Sequence, residues 1–518
     1  MRKPEILKII KNVGSSWFSL GANIVVGIFL SPFILHHLGD TAFGIWVLLF
    51  SVTGYYGLFD LGIRSSVVRY VSTYKAVDDA EGLARLINTS LATYVAIGTV
   101  TMLLTVLGSS FVDRLFHIPT EFLTSARWLF LMVGASVSLG FPAGVFGGIL
   151  EGLQRFDYVN ITNLAATFLR AILIVIALTH GYGLLMVAFI TVALPLLSSV
   201  VRAIVVTHLI SLRFGWKYVD RGSLRAIAHY SSVSFVLMIA YKLRFKTDEI
   251  VIGAMMPVAA ITYFSIGGRL VDYASDVVAS FAQIFVPMSG ESDARGEKYR
   301  LRRIFVAGNR ACAFIIFPIT AALIILGKSV IEAWVGRKYV ALSYPVLLAL
   351  LIPSTFFLVQ AASPRILYGM AKHQTLAWIT AMESIANLIL SIVLIRPLGI
   401  FGDALGTAIP LSLTTLYFLP RHLCRILNVR LSTYLREAYL LPLLLCLPTV
   451  AALLLVGRLY KAHTYLQVGL QILIGLIPYG LGMAWAIWTK RVWQISDLVE
   501  DKPTDEMVTL IETLQGEP

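Results

Sequence analysis

The sequence predicts an all-α polytopic membrane protein of about fourteen transmembrane helices, in two pseudo-symmetric six-helix lobes plus two C-terminal helices. Three observations lead there. The 518 residues are 58% hydrophobic and 14% charged, with a mean hydropathy of +0.80, whereas soluble chains carry about a quarter charged residues. Apolar runs of roughly 20 residues, enough to cross a bilayer, recur from end to end. A stretch that begins at Leu150 returns in register at Leu367.

The first span, Val13–Leu35, follows the basic segment MRKPEILKIIK and lacks a small-residue cleavage site at its end. It is therefore expected to be retained rather than removed as a signal peptide. Apolar runs then place spans at Phe43–Ile63, Leu86–Val112, Trp128–Leu150, Ile161–Leu178 and Tyr182–Thr207. The seventh joins two apolar flanks, each too short alone, through YKLRFKTDEI into one helix from His229 to Met256. Ala260–Met288, Ile304–Leu326, Pro345–Met370, Leu376–Ile395, Ile400–Leu419, Leu440–Val456 and Leu466–Trp488 complete the set. Prolines at 32, 142, 195, 257, 287, 353 and 364 are expected to kink or end helices.

Of the 42 basic residues, 26 fall on the side of the N-terminus and 8 opposite, which predicts both termini in the cytoplasm. The net charge of +13 is assigned to those basic loops rather than to nucleic-acid binding. Cys312, Cys424 and Cys446 are scattered along apolar segments and fit neither a disulfide framework nor a metal site. No cofactor is expected.

The repeat pairs Leu150 with Leu367, Gly152 with Gly369 and Arg155 with Lys372, so spans 5 and 6 correspond to spans 11 and 12. An even number of spans separates the copies, which gives them the same orientation and predicts a site between two halves. The expected organisation is a first lobe over 1–213, a connector at 214–224, and a second lobe over 225–430. The last two spans lie in 431–490 and a cytoplasmic tail in 491–518.

Ionisable groups at membrane depth face a partner or a watery cavity, because hydrocarbon penalises them by several kcal/mol. Lys246 and Arg269 both lie about 15 Å from an outer turn at Pro257–Ala259, near the midplane, and Arg170 sits at a similar depth in span 5. With Lys242 and Arg244 they form a set of cavity cations able to hold a diphosphate. The alternative is internal pairing, of Arg244 with Asp248 and of Arg269 with Asp272. Asp60 and Arg64 are candidates for gating or for a salt bridge that fixes the end of span 2. Glu383 and Asp248 are the candidate coupling carboxylates, unless Glu383 is a neutral acid hydrogen-bonded within the bundle.

The segments LGDTAFGIWVLLFSVTGYYGLFDLGIRSSVVRYVS (38–72), TDEIVIGAMMPVAAITYFSIGGRL (247–270) and RPLGIFGDALGTAI (396–409) carry a family resemblance. In their order and spacing the chain resembles the Wzx-like repeat-unit flippases, the polysaccharide-export branch of the multidrug/oligosaccharidyl-lipid/polysaccharide flippase superfamily. It departs from them in placing three cations before Asp248, and Glu249 where a basic residue is common. The resemblance implies a MATE-like architecture, with a central cavity lined by spans 1, 2, 7 and 8. It implies alternating-access transfer of an undecaprenyl-diphosphate-linked oligosaccharide across the cytoplasmic membrane of a prokaryote. The expected partners are that lipid-linked glycan, membrane lipids, a proton or sodium ion for coupling, and polysaccharide polymerase machinery. A multidrug antiporter shares the architecture and is the second reading. A membrane glycosyltransferase or polymerase is the third, although the outer loops hold no paired carboxylates for catalysis.

Overall fold

Residues 3–211, 213–225, 227, 247–372 and 374–489 are described by a computed structural model, and every regular element among them is helical. One-turn pieces apart, the helices are α1 (Lys3–Gly54), α2 (Ile63–Ala76), α3 (Ala80–Ser109), α4 (Leu123–Gly152), α5 (Phe156–Thr179) and α6 (Leu184–Leu209). After the connector come α7 (Asp248–Met255), α8 (Ala259–Ala282), α9 (Phe285–Ala294), α10 (Lys298–Val335), α11 (Arg337–Val359) and α12 (Ala362–Gly369). The chain ends with α13 (Gln374–Leu413), α14 (Leu419–Ile426), α15 (Leu431–Leu435), α16 (Leu441–Leu459) and α17 (Tyr465–Trp488).

Ten stretches among the described residues are long and apolar enough to cross a bilayer. Two of them, Trp17–Asp60 and Gln374–Ile426, run to 44 and 53 residues, well beyond the roughly 20 that one crossing needs. Large side chains such as Leu103 and Leu107 of α3, Ile204 of α6 and Leu473 of α17 point outward and stay exposed. Water would not tolerate an apolar surface of that extent, and lipid does. The chain is a helical, multi-pass membrane protein.

The long helices bend where backbone geometry demands glycine. Gly39 (φ 78°, ψ 171°) divides α1, and Gly399 (φ 58°, ψ −143°) divides α13; both conformations are essentially closed to residues with a Cβ. Pro32, Pro142 and Pro195 are instead accommodated inside α1, α4 and α6. The predicted eighth span breaks after Ala282 and resumes as α9, and the predicted tenth breaks after Val359 and resumes as α12. Of the predicted seventh span, His229–Lys246 lies outside the described residues, and α7 forms its end.

The sequence repeat has a backbone counterpart. Gln154 (φ 57°) ends one helix in the left-handed region, and 217 residues later Ala371 (φ 56°) does the same. Their hydrogen bonds match: Arg155 N donates to Leu150 O at 2.8 Å, and Lys372 N donates to Leu367 O at 2.9 Å. Gly181 and Gly399 form a second positive-φ pair and Asp78 and Gly296 a third, each 218 residues apart. Such closures satisfy carbonyls that a helix end leaves free.

The chain forms two compact units. The first comprises residues 1–273, 334–350 and 380–410. Its core lies among α2, α3 and α4, where Val67, Val145, Ile149 and Leu150 are fully buried and Tyr94 stacks on Phe141 at 5.8 Å. At the Gly39 turn of the same unit, Asp40 accepts hydrogen bonds from Tyr263 (3.1 Å), Lys338 (3.1 Å) and Tyr339, and its carbonyl accepts from Thr262 (2.7 Å). Trp334 Nε1 donates to Ile28 O beside them. The second unit comprises 274–333, 351–379 and 411–518. There Phe305 stacks on Tyr434 at 4.6 Å, and Asn309 donates to Ser363 and Tyr434. Arg310 is buried against both the carboxylate and the carbonyl of Glu437, in a π-turn at Arg436–Leu440.

Candidate functional site

Two polar constellations stand within the apolar helices of the first unit. One is acidic. The motif PLGIFGDALGTA folds α13 back on itself at Gly399 and brings its two halves backbone to backbone. A Cβ on Gly402 would lie 2.0 Å from Leu394 O, and one on Gly406 would lie 2.5 Å from Ser391 N, so only glycine fits at either position. This contact sets Asp403 and Thr407 of the second half against Asn387 and Ser391 of the first. Thr407 Oγ1 lies 3.1 and 3.0 Å from the carboxylate oxygens of Asp248, in the first turn of α7, and 3.2 Å from Asn387 Oδ1. Its single proton serves one of these acceptors at a time.

Asp403 is fully buried, and Asp248 and Glu249 act on it electrostatically. Neither of its carboxyl oxygens finds a hydrogen-bond donor among the described residues. Ser391 stands next to it, but its hydroxyl is directed to Asn387 Oδ1 (3.0 Å) and to the Asp403 carbonyl (3.3 Å). Tyr55 closes the cluster through Thr247, at 2.7 Å. Three carboxyl groups held together away from water cannot all be charged without a balancing cation or proton. No group of three His, Cys, Asp or Glu side chains among the described residues is spaced to hold a metal ion.

The other constellation is basic and centres on α4. Arg64, near the start of α2, reaches Glu151 at 2.6 Å. Arg202 of α6 donates to Thr162 at 2.8 Å and to Asn163. A Cβ on Gly147 would meet both guanidinium groups, Arg64 at 3.4 Å and Arg202 at 3.6 Å, so the two cations converge on that glycine. Along α4, Gly140 and Gly144 face open space. The lane they form ends at a pair of arginines with one carboxylate between them.

The residues singled out by sequence distribute as follows. Asp248 belongs to the acidic cluster. Glu383 is buried on α13, one turn before Asn387 and on the same helical face. Arg64 belongs to the basic pair, while Asp60, four residues earlier, accepts from Tyr94. The left-handed Leu61 breaks the helical spacing that would have joined Asp60 and Arg64 directly. Arg170 is half-buried on α5, with no hydrogen-bond or ion-pair partner among the described residues. Arg269 is exposed on α8, and neither it nor Asp272 forms an ion pair there. Lys242, Arg244 and Lys246 lie outside the described residues, and so does any pairing of Arg244 with Asp248. Sequence reasoning missed Asp403, Thr407, Asn387, Arg202 and Glu151. The available signal was a lone acid flanked by glycines inside an apolar span.

A family model described as polysaccharide biosynthesis protein matches residues 38–344. The chain belongs to that family. Among its relatives, the uncharacterized membrane protein EpsK of Bacillus subtilis is 23% identical over 454 residues, covering 83% of this chain and 86% of EpsK. A Shigella flexneri protein provisionally named an O-antigen transporter is 21% identical over 423 residues, covering 79% of this chain and 96% of its own. The fold is similar to that of the lipid II flippase MurJ in an inward closed conformation, with a TM-score of 0.73 and 16% identity over 94% of this chain and all of MurJ. It is also similar to an inward-facing multidrug resistance MATE transporter of the MOP superfamily, with a TM-score of 0.63 and 16% identity over 79% of this chain and 94% of that one. This member of the polysaccharide biosynthesis family therefore has the MOP-superfamily fold.

Proposed function

We propose that the chain is a flippase that moves a lipid-linked oligosaccharide, carried on a polyprenyl diphosphate such as undecaprenyl diphosphate, across the cytoplasmic membrane for cell-surface polysaccharide assembly. The observation that carries this reading is the convergence of Arg64 and Arg202 on the open glycine lane of α4. Two guanidinium forks in a low-dielectric setting suit a diphosphate, whose burial without cations would be prohibitive. Family membership, the MurJ-like fold and the O-antigen transporter relative agree with that substrate class.

Fourteen helices in two lobes plus a C-terminal pair perform alternating access, and the turns that recur at 217 and 218 residues support that duplication. Both termini are cytoplasmic in this reading, which puts the Asp40 turn at the outer face. The cluster of Asp248, Asp403, Asn387 and Thr407, with Glu383 one turn away, takes up the proton or sodium ion that drives transport. Arg170 and Arg269, with Lys242, Arg244 and Lys246, are further cations for the headgroup, while Asp60 orders the Arg64 end through Tyr94. An antiporter of organic cations uses the same fold, but the paired arginines repel that substrate. The chain catalyses no covalent step here; it hands its cargo to polymerase machinery.

The test is delivery of lipid-linked glycan to the outer face, at matched protein levels. Arg64→Ala with Arg202→Ala should abolish it, and Arg202→Lys should retain part of it. Asp248→Asn and Asp403→Asn should remove its dependence on the ion gradient, and collapsing the sodium and proton gradients separately identifies the ion. Wild-type delivery by the double arginine variant overturns the proposal.

A further inference from the structure

The connector after α6 is held at a defined height on α3. Asn88 forks onto it: its Nδ2 donates to Arg213 O at 2.7 Å, and its Oδ1 accepts from Gly215 N at 3.0 Å. One residue later, Thr89 Oγ1 accepts from Asp220 N at 3.1 Å. Both anchor side chains are buried. No charged residue occurs on α3 or beyond it between Arg85 and Asp113. The 20 residues from Ser90 to Ser109 rise about 30 Å, the thickness of a hydrocarbon core. Asn88 and Thr89 therefore mark the edge of the hydrocarbon. The connector is pinned at that edge, about 12 Å along α3 from its start at Ala80.

What the connector presents there is amphipathic. Trp216 is 84% exposed and Phe214 56%. Arg213, Lys217, Arg221 and Arg225 are exposed around them. Lys217 sits over the Tyr218 ring at 5.0 Å, which leaves its ammonium outward. The connector's one acid, Asp220, is spent internally. The Ser223 hydroxyl holds its carboxyl below the usual carboxylate range, and the amides of Gly222 and Ser223 also bind it. On α3, Glu81 is paired with Arg85.

We propose that the Arg213–Arg225 connector is a lipid-docking surface that seats Phe214 and Trp216 at the acyl boundary and recognises anionic phospholipid headgroups through Arg213, Lys217, Arg221 and Arg225. Indole rings settle at that depth because one edge is apolar and the N–H is polar. Each cation near an anionic membrane surface contributes about 1 kcal/mol, so four give a marked headgroup preference. The occupant is lipid because the depth fixed by Asn88 puts the aromatics where only lipid is present.

The full chain is reconstituted into vesicles of phosphatidylcholine or phosphatidylglycerol brominated near the headgroup end of the acyl chains. The Trp216 signal is the difference in emission between wild type and Trp216→Phe. Bromolipid should quench it, severalfold more strongly in phosphatidylglycerol. Replacing the four cations by Gln should remove the headgroup preference and leave the quenching, and Lys217→Gln alone should reduce the preference if the fourfold variant inserts poorly. Equal quenching by the two lipids in wild type overturns the proposal. So does a Trp216 signal quenched by aqueous acrylamide and not by bromolipid, which would put the connector in water or against a soluble protein. Retention of the preference by both cation variants overturns it as well.

Discussion

A methyl group is enough to test how the acidic cluster is built. At Gly406 a Cβ would lie 2.3 Å from Ser391 Oγ and 2.6 Å from Ser391 Cα, with backbone on one side and no room to yield. Gly406→Ala should therefore destabilise the protein by about 1–3 kcal/mol, the usual range for overpacking. Gly140, equally apolar in context, faces open space, so Gly140→Ala should leave the thermal midpoint in detergent unchanged. Equal midpoints for the two variants would contradict the backbone contact. These residues also show where sequence reading stops. Asp248 drew attention because charges crowded around it, but its partner Thr407 lies 159 residues away, and no spacing rule links them. Asp403 stood in plain view within GIFGDALGTA. It became meaningful only when the Gly399 bend brought the two halves of α13 together. Arg202 was invisible for a similar reason: a single arginine near the end of an apolar span looks like an anchor until Gly147 places a second guanidinium beside it.

At the level of elements, helix ends were the most legible feature and helix continuity the least. The paired turns at Gln154 and Ala371 follow from local hydrogen bonds, which a 217-residue repeat in the sequence predicts directly. The breaks after Ala282 and Val359 were not anticipated, because apolar composition runs straight through them and sets no boundary. Prolines were a poor guide, since a neighbouring helix satisfies the carbonyl that each one strands. In the second unit the π-turn at Arg436–Leu440 offers a sharper test. It carries Glu437 to Arg310, whose side chain is 3% exposed. Removing one partner of a buried ion pair strands the other and costs about 3–5 kcal/mol. Glu437→Ala should lower the unfolding midpoint in detergent accordingly, and Arg310→Met with Glu437→Leu should recover much of the loss. A double variant no more stable than Glu437→Ala would show that the π-turn, rather than the charge, is what matters.

Across the whole molecule, composition and run length made the multi-pass helical character evident, and motif order brought out the family. The placement of loops on one side of the membrane rests on the 26 to 8 bias of basic residues. Reporter fusions after Arg225, Arg303 and Arg436 should accordingly report cytoplasm, and fusions at His180 and Arg337 the outside. A cytoplasmic signal at His180 would reverse the assignment of α5 and α6. The Gly39 turn has a further consequence for speed. Asp40 gathers Tyr263, Lys338 and Tyr339 from helices far along the chain. Any state in which those helices part from α1 must first strip that carboxylate of three donors and rehydrate it. Hydrogen bonds to a charged group contribute about 1.5–3 kcal/mol each, so this one residue can hold the turnover number down by orders of magnitude whatever the cargo. Asp40 is in that sense a clock: shortening its list of donors should make the cycle faster and leakier, and lengthening it should make the cycle slower and tighter.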